Sequence, residues 1–220
     1  MNNYFAVIFD LDGTLLDTID DLADSMNKVL AQLGLPVHEV ESYKDMVGDG
    51  LTNLVERVLP ANHRKTSTIE YCIREMEEEY QKRWNKKTRP YDGIPELLAA
   101  LLKRKVRMNV LSNKLDRYTQ ISVDFYFSQF PFECVMGATP SIPIKPDPAG
   151  ALFIAKKLGV EAKNFVYLGD TNTDMKTALA AGMLPVGALW GFRKRIELEE
   201  SGAGAVIGHP LELLEYFNSK

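Results

Sequence analysis

Two aspartates separated by one leucine, Asp10 and Asp12, close an apolar run in the stretch VIFDLDGTLLDT at residues 7–18. If the stretch is extended, both carboxylates point to one side with Cα atoms about 7 Å apart, able to face one site without touching. Gly13 permits a tight exit from the strand. A charge at the end of a buried strand is costly unless it has a partner. Similar chemistry recurs further on: Ser112-Asn113-Lys114 follows the apolar run at 106–111, and Lys145-Pro146-Asp147-Pro148 precedes a helical pattern. Gly169-Asp170-Thr171-Asn172-Thr173-Asp174 follows the apolar run at 165–168. Asp170 and Asp174 bring the acids to four. Carboxylates gathered in one place repel unless a cation sits among them, and an all-oxygen donor set suits Mg²⁺, which also accepts a phosphate oxygen. Lys145, Ser112 and Thr14 offer what a bound phosphate needs, a fixed positive charge and hydroxyl donors.

These groups meet only if the elements carrying them share a sheet edge. Phe5-Ala6-Val7-Ile8-Phe9 is apolar on both faces, as a central strand between helical layers must be. Ile19, Leu22, Ala23, Met26, Val29, Leu30 and Leu33 recur at helical spacing up to Gly34 and Pro36. Ile69, Ile73, Met76, Tyr80 and Trp84 form a second stripe, with an acidic opposite face. Residues 17–87 show no strand pattern and read as a separate all-helical unit. Arg89-Pro90-Tyr91-Asp92-Gly93 reads as a hinge. Beyond it helix and strand patterns alternate. Helices are expected at 94–103, 116–127, 149–158 and 174–181, and strands at 106–111, 133–136, 165–168 and, last, 185–189. That alternation predicts βα units and a parallel sheet, so residues 1–16 plus 88–220 make an α/β core and 17–87 an insertion. In such sheets ligands bind beyond the carboxyl ends of the strands, which is where every polar segment named above falls.

Each segment alone has an ordinary reading: a turn, a loop pair, a surface lysine among prolines, a helix-start acid. Their joint order, each after a strand or before a helix, is what makes the pattern specific.

Composition narrows the classes. At 220 residues, with 45% hydrophobic and 25% charged residues, the chain resembles ordinary globular proteins. A net charge of −4 speaks against a general nucleic-acid binder, and the basic clusters at 82–89 and 103–105 read as solvated helix surface. Cys72 and Cys134 stand far apart and the three histidines lack ligand spacing. No apolar stretch is long enough for a membrane span, and no signal-peptide pattern opens the chain. A cytoplasmic location, no membrane partner and no nucleic-acid partner are therefore expected.

With those residues in place, the chain resembles the haloacid dehalogenase superfamily of phosphohydrolases along essentially its whole length. FDLDGTLLDT is similar to that family's first motif, LSNK to its second, KPDP to its third and GDTNTDM to its fourth. The resemblance implies a Rossmann-like parallel sheet core with an inserted all-helical cap domain. It implies that Asp10 is the nucleophile forming an aspartyl-phosphate, and that Asp12 protonates the leaving oxygen and then activates water. Mg²⁺ would be held by the Asp10 carboxylate, the Asp12 backbone carbonyl and Asp170, with Asp174 in support. Thr14, Ser112, Asn113 and Lys145 would bind the phosphoryl group, Lys145 also serving catalysis. Asp12 favours phosphoryl transfer over carbon–halogen cleavage, because dehalogenase members lack it.

Within the superfamily, MVGDGLTNL, RPYDGIPELLAAL, IKPDPAGAL and GDTNTDMKTALAAGM resemble phosphoglycolate phosphatase-like members, implying a small phosphorylated metabolite, 2-phosphoglycolate, as substrate. The alternatives are a β-phosphoglucomutase-like phosphotransferase, a pyrophosphatase, another sugar or nucleotide phosphatase, and, more remotely, a non-catalytic phospholigand-binding module. Gly48-Asp49-Gly50 reads either as a cap loop over the site or as a plain helix–helix turn, and Arg193 of WGFR as surface.

Overall fold

Ala6–Phe9 form the first strand, β1, and all four residues are fully buried. The computed structural model describes residues 4–217, so the outer limits 1 and 220 of the expected core lie outside the described residues. Strands β4 (Arg107–Leu115), β5 (Phe132–Ala138), β6 (Phe165–Gly169), β7 (Leu184–Ala188) and β8 (Ala205–Ile207) complete a six-stranded sheet in the order β5-β4-β1-β6-β7-β8. Every pairing within it is parallel. Alternation along β1 separates two apolar layers. Val7 and Phe9 join Val110, Leu168 and helix α5 (Ile94–Lys103) on one face. Ala6 and Ile8 join Tyr167 and helices α7 (Ala149–Leu158) and α8 (Asn172–Ala181) on the other.

The register sets the site. Phe9 lies opposite Val110 of β4 and Leu168 of β6. Asp10, the Leu111–Ser112 step and the Gly169–Asp170 step therefore emerge at one level, where chain order reverses across the sheet and a crevice opens.

Between β1 and α5 lie four helices, α1 (Ile19–Gln32), α2 (Val40–Met46), α3 (Leu51–Val58) and α4 (Thr66–Arg83). Their facing stripes build a separate apolar cluster around Met26, Tyr43, Val55, Cys72 and Met76, against which Tyr118 and Phe192 of the α/β layer pack. This is the helical cap. Its two connections are paired, so Asp17 of the insertion read as strandless lies in a strand, and the hinge expected at 89–93 begins in its partner. Leu16–Asp17 (β2) and Arg89–Pro90 (β3) form a short antiparallel ribbon. Buried Asp21, on the first turn of α1, accepts hydrogen bonds from Lys87 N–H and Thr88 N–H at 3.0 and 2.8 Å and from the Thr88 hydroxyl at 2.8 Å.

Two strand limits also differ. The strand at 184–188 is not the last, because β8 follows it. β4 runs on through Ser112-Asn113-Lys114 to Leu115, with a register shift after Leu111. Arg104, read as solvated, donates to the Leu214 and Phe217 carbonyls at 2.6 Å. No helix among the described residues is long and apolar enough to cross a membrane.

Candidate active site

Beyond the carboxyl ends of β1 and β4 a cleft of about 90 Å³ separates the sheet from the cap. At ~10–15 Å³ per water, this space holds several waters or a small molecule. Asp10, Asp12, Ser112, Asn113 and Lys114 form its floor, and the cap supplies an apolar roof that includes Leu22, Val47, Leu51, Leu54 and Met76.

Asp10 is buried, and its Oδ1 accepts the Leu11 N–H at 2.6 Å and meets Lys145 Nζ at 2.9 Å. Burial and the charge of Asp174 push its carboxyl up to about 7, with Lys145 pulling the other way. Lys145 Nζ also contacts Asp174 Oδ1 at 2.7 Å. Burial acts to strip the proton from Lys145, but the charges of Asp10 and Asp174 outweigh it and hold the ammonium well above its ordinary range. The second oxygen of Asp174 accepts the Thr171 N–H and hydroxyl at 3.1 and 2.7 Å, closing a capping box at the start of α8. Its expected place as a supporting acid and its role as a helix-start residue thus coincide.

Asp170 is fully buried. Burial and the charges of Asp174 and Asp10 raise its carboxyl well above the usual carboxylate range. The Thr14 hydroxyl and the Phe192 N–H hold its two oxygens at 2.7 and 2.8 Å. The turn at Gly13 makes this fit possible: its φ is +86°, and a Cβ there would stand 2.3 Å from Asp170 Oδ2. Thr14 therefore spends its hydroxyl on Asp170 and is fully buried, instead of opening toward a ligand.

Asn113 lines the cleft, with its side-chain amide engaged by protein groups. Its side chain brackets Lys145, accepting the Lys145 N–H at 2.8 Å and donating to the Lys145 carbonyl at 2.9 Å, and it donates to the Gly48 carbonyl of the cap at 3.0 Å. Both amide donors are then in use. Ser112 stays beside the cleft, with Oγ accepting the Lys114 N–H at 3.3 Å.

Asp10, Asp170 and Asp174 bring one carboxylate oxygen each to within 4.8 Å of one another. Of these three buried acids Asp10 and Asp174 touch the Lys145 ammonium, and Asp10 and Asp170 are displaced toward their protonated forms. Hard oxygen donors with surplus negative charge fit a divalent cation such as Mg²⁺. The Asp12 carboxylate is not part of that group. It turns to Lys114, whose Nζ stands 2.9 and 3.0 Å from its two oxygens.

Lys114 and its other partner, the Tyr80 hydroxyl on α4 at 2.6 Å, are the residues that sequence reasoning missed. Lys114 directly follows Ser112-Asn113 on the strand, and that adjacency was the available clue. Tyr80 read as one more member of an apolar stripe. The Gly48-Asp49-Gly50 loop does lie over the site, tied to the α/β layer by Thr173 Oγ1 to Asp49 Oδ1 at 2.7 Å. Arg193, read as surface, instead reaches the cap, donating to the Lys44 and Val47 carbonyls.

Residues 7–188 match the family model described as haloacid dehalogenase-like hydrolase. Two relatives named phosphoglycolate phosphatase cover most of the chain. The protein of Pseudomonas savastanoi pv. phaseolicola is 34% identical over 206 residues, 91% of this chain and 75% of its own. That of Aquifex aeolicus is 31% identical over 213 residues, 97% of this chain and 96% of its own. A solved structure from Lactobacillus delbrueckii subsp. bulgaricus superposes with a TM-score of 0.92 at 28% identity, over 99% of this chain and 100% of its own.

Proposed function

The chain belongs to the haloacid dehalogenase-like hydrolases, and from that premise we propose that it is a Mg²⁺-dependent phosphatase. Its substrate is a small phosphomonoester, 2-phosphoglycolate, hydrolysed through an aspartyl-phosphate on Asp10. The observation that carries this reading is the placing of Asp10 and Asp12 side by side on the floor of one small cleft, with Lys145 and two further acids packed behind Asp10.

Both polar contacts of Asp10 fall on Oδ1, so Oδ2 is the oxygen that attacks phosphorus. A bond from Oδ2 to phosphorus forms as the bond to the ester oxygen breaks, and Asp12 delivers a proton to the departing oxygen. Water then attacks the phosphorus of the acyl phosphate and gives its proton to Asp12, and the bond to Asp10 breaks to release phosphate. Lys145 holds a fixed positive charge beside Asp10 through both steps, and Ser112 offers its hydroxyl to the phosphoryl oxygens. Thr14 and Asn113 act as positioning residues, the first for Asp170 and the second for Lys145.

Asp10, Asp170 and the Asp12 backbone carbonyl, with Asp174 in support, would hold Mg²⁺, which would supply a positive centre offsetting carboxylate repulsion and stabilising charge on the phosphoryl group. On this reading residues 17–87 are the cap over the leaving group and, among the described residues, 4–16 with 88–217 the catalytic core. The names of the relatives and the small cleft both support a compact substrate.

Phosphate release from 2-phosphoglycolate, pyrophosphate, sugar phosphates and nucleoside monophosphates, with Mg²⁺ and then with chelator, tests the reading. The highest kcat/KM is expected for 2-phosphoglycolate, and chelator is expected to abolish it. Metal-independent turnover, or none with any phosphoester, would contradict it.

A further inference from the structure

The cleft carries an unmatched requirement. A leaving group with its own negative charge must be met by a cation if it is to settle against a largely apolar wall. The roof offers none: Leu22, Val47, Leu51, Leu54 and Met76 are apolar. Glu77, the acidic residue on the cap side, is engaged by Arg117. Lys145 stands between Asp10 and Asp174 and does not line the cleft. Among the described residues lining it, Lys114 alone is cationic.

Lys114 is also a built feature. Its side chain is 5% exposed, it stands 4.7 Å from the centroid of the Tyr80 ring, and its ammonium is shared between Asp12 and the Tyr80 hydroxyl. Its three N–H donors meet three acceptors, both Asp12 oxygens and the Tyr80 hydroxyl, so a substrate carboxylate takes over one of the two places held by Asp12.

The geometry points to Lys114 as the residue that selects substrates bearing a carboxylate one methylene away from the ester oxygen, with Tyr80 fixing it from the cap. The inference deepens the proposed function and rests on the reading of Asp12 as proton donor to that oxygen. Asp12 must touch the ester oxygen, and Lys114 Nζ stands 2.9 Å from Asp12. A carboxylate separated from the ester oxygen by a single methylene therefore falls beside Lys114, whereas a longer or uncharged leaving group meets the apolar roof.

The test compares kcat/KM for 2-phosphoglycolate and for 2-hydroxyethyl phosphate, which keeps the chain and replaces the carboxylate by a hydroxymethyl group, both with Mg²⁺. The wild-type enzyme should prefer the carboxylate by about 10- to 100-fold, the range expected when one charge-assisted contact is made or lost. In Lys114→Met that ratio should fall to within about threefold of unity, and Lys114→Arg should restore part of it. Any loss common to both substrates reports the contact of Lys114 with Asp12 and cancels in the ratio.

A wild-type ratio near unity overturns the inference without recourse to a variant, as does a ratio that survives Lys114→Met. Release of phosphate from 2-hydroxyethyl phosphate but not from 2-phosphoglycolate overturns it while leaving the phosphatase reading intact. No release from either substrate, or from any other phosphoester, removes both.

Discussion

Replacing Lys145 by methionine removes the ammonium that touches both Asp10 and Asp174, at 2.9 and 2.7 Å, and keeps most of the buried apolar stem. Removing one partner of a buried ion pair costs about 3–5 kcal/mol, because it strands the other charge. Here one ammonium serves two carboxylates, so the loss at pH 8 in chelator should lie near the top of that range, about 4–5 kcal/mol. That is a large share of a total stability of about 5–15 kcal/mol.

The loss should shrink on acidification. Asp10 lies at about 7 in the folded chain against 3.8 ordinarily. A group raised on folding favours the protonated native state. Its contribution to stability is therefore full below about pH 4 and disappears as the pH rises through 7. At pH 5 the wild-type Asp10 is already largely neutral, so Lys145→Met strands Asp174 alone and the cost should fall to about 3 kcal/mol, the lower end of that range. Urea unfolding followed by the fluorescence of Trp84 and Trp190, at both pH values in chelator, reads this directly. A loss below about 1 kcal/mol at pH 8, or a larger loss at pH 5 than at pH 8, would refute the reasoning.

Gly13→Ala combines a φ of +86° with a Cβ 2.3 Å from Asp170 Oδ2; about 2–4 kcal/mol of stability should be lost in urea unfolding, together with Mg²⁺-dependent activity. Asp21→Ala frees two backbone N–H groups and the Thr88 hydroxyl, so about 2–4 kcal/mol should be lost and amide exchange at Lys87 and Thr88 should quicken. Saturating Mg²⁺ should raise the Tm in calorimetry more at pH 8 than at pH 5, since protons compete for Asp10 and Asp170, whose carboxyls are both raised. An equal shift at both pH values would argue against metal binding at these acids.

The parts of this architecture that were legible in the sequence are those where burial is two-sided. β1 and β6 are apolar on both faces, and the polar residues that end them are the ones the sheet brings to one level. What escaped has little pattern of its own. Leu16–Asp17 and Arg89–Pro90 are two-residue strands, defined only by pairing across the cap. Ala205–Ile207 is three residues between Gly204 and Gly208, too short for an alternation to show. β4 continues through Ser112-Asn113-Lys114 because there it leaves the core and lines the cleft, so its polarity marks the site and not the end of the strand.

Side-chain directions were the harder loss. Whether Thr14 faces a ligand or Asp170 depends on the turn at Gly13. The meeting of Lys114 with Tyr80 depends on how the cap docks. Neither leaves a trace in local spacing.

Acid quenching of a single turnover with 2-phosphoglycolate and Mg²⁺ tests most directly the proposed attack of Asp10 on phosphorus. Asp12→Asn serves as a second sample, to slow loss of the phosphoryl group. The account predicts a hydroxylamine-labile phosphoryl group on the peptide carrying Asp10, formed and lost at rates compatible with turnover. Sustained phosphate release with no phosphoryl group on Asp10, or with one on another residue, would contradict it.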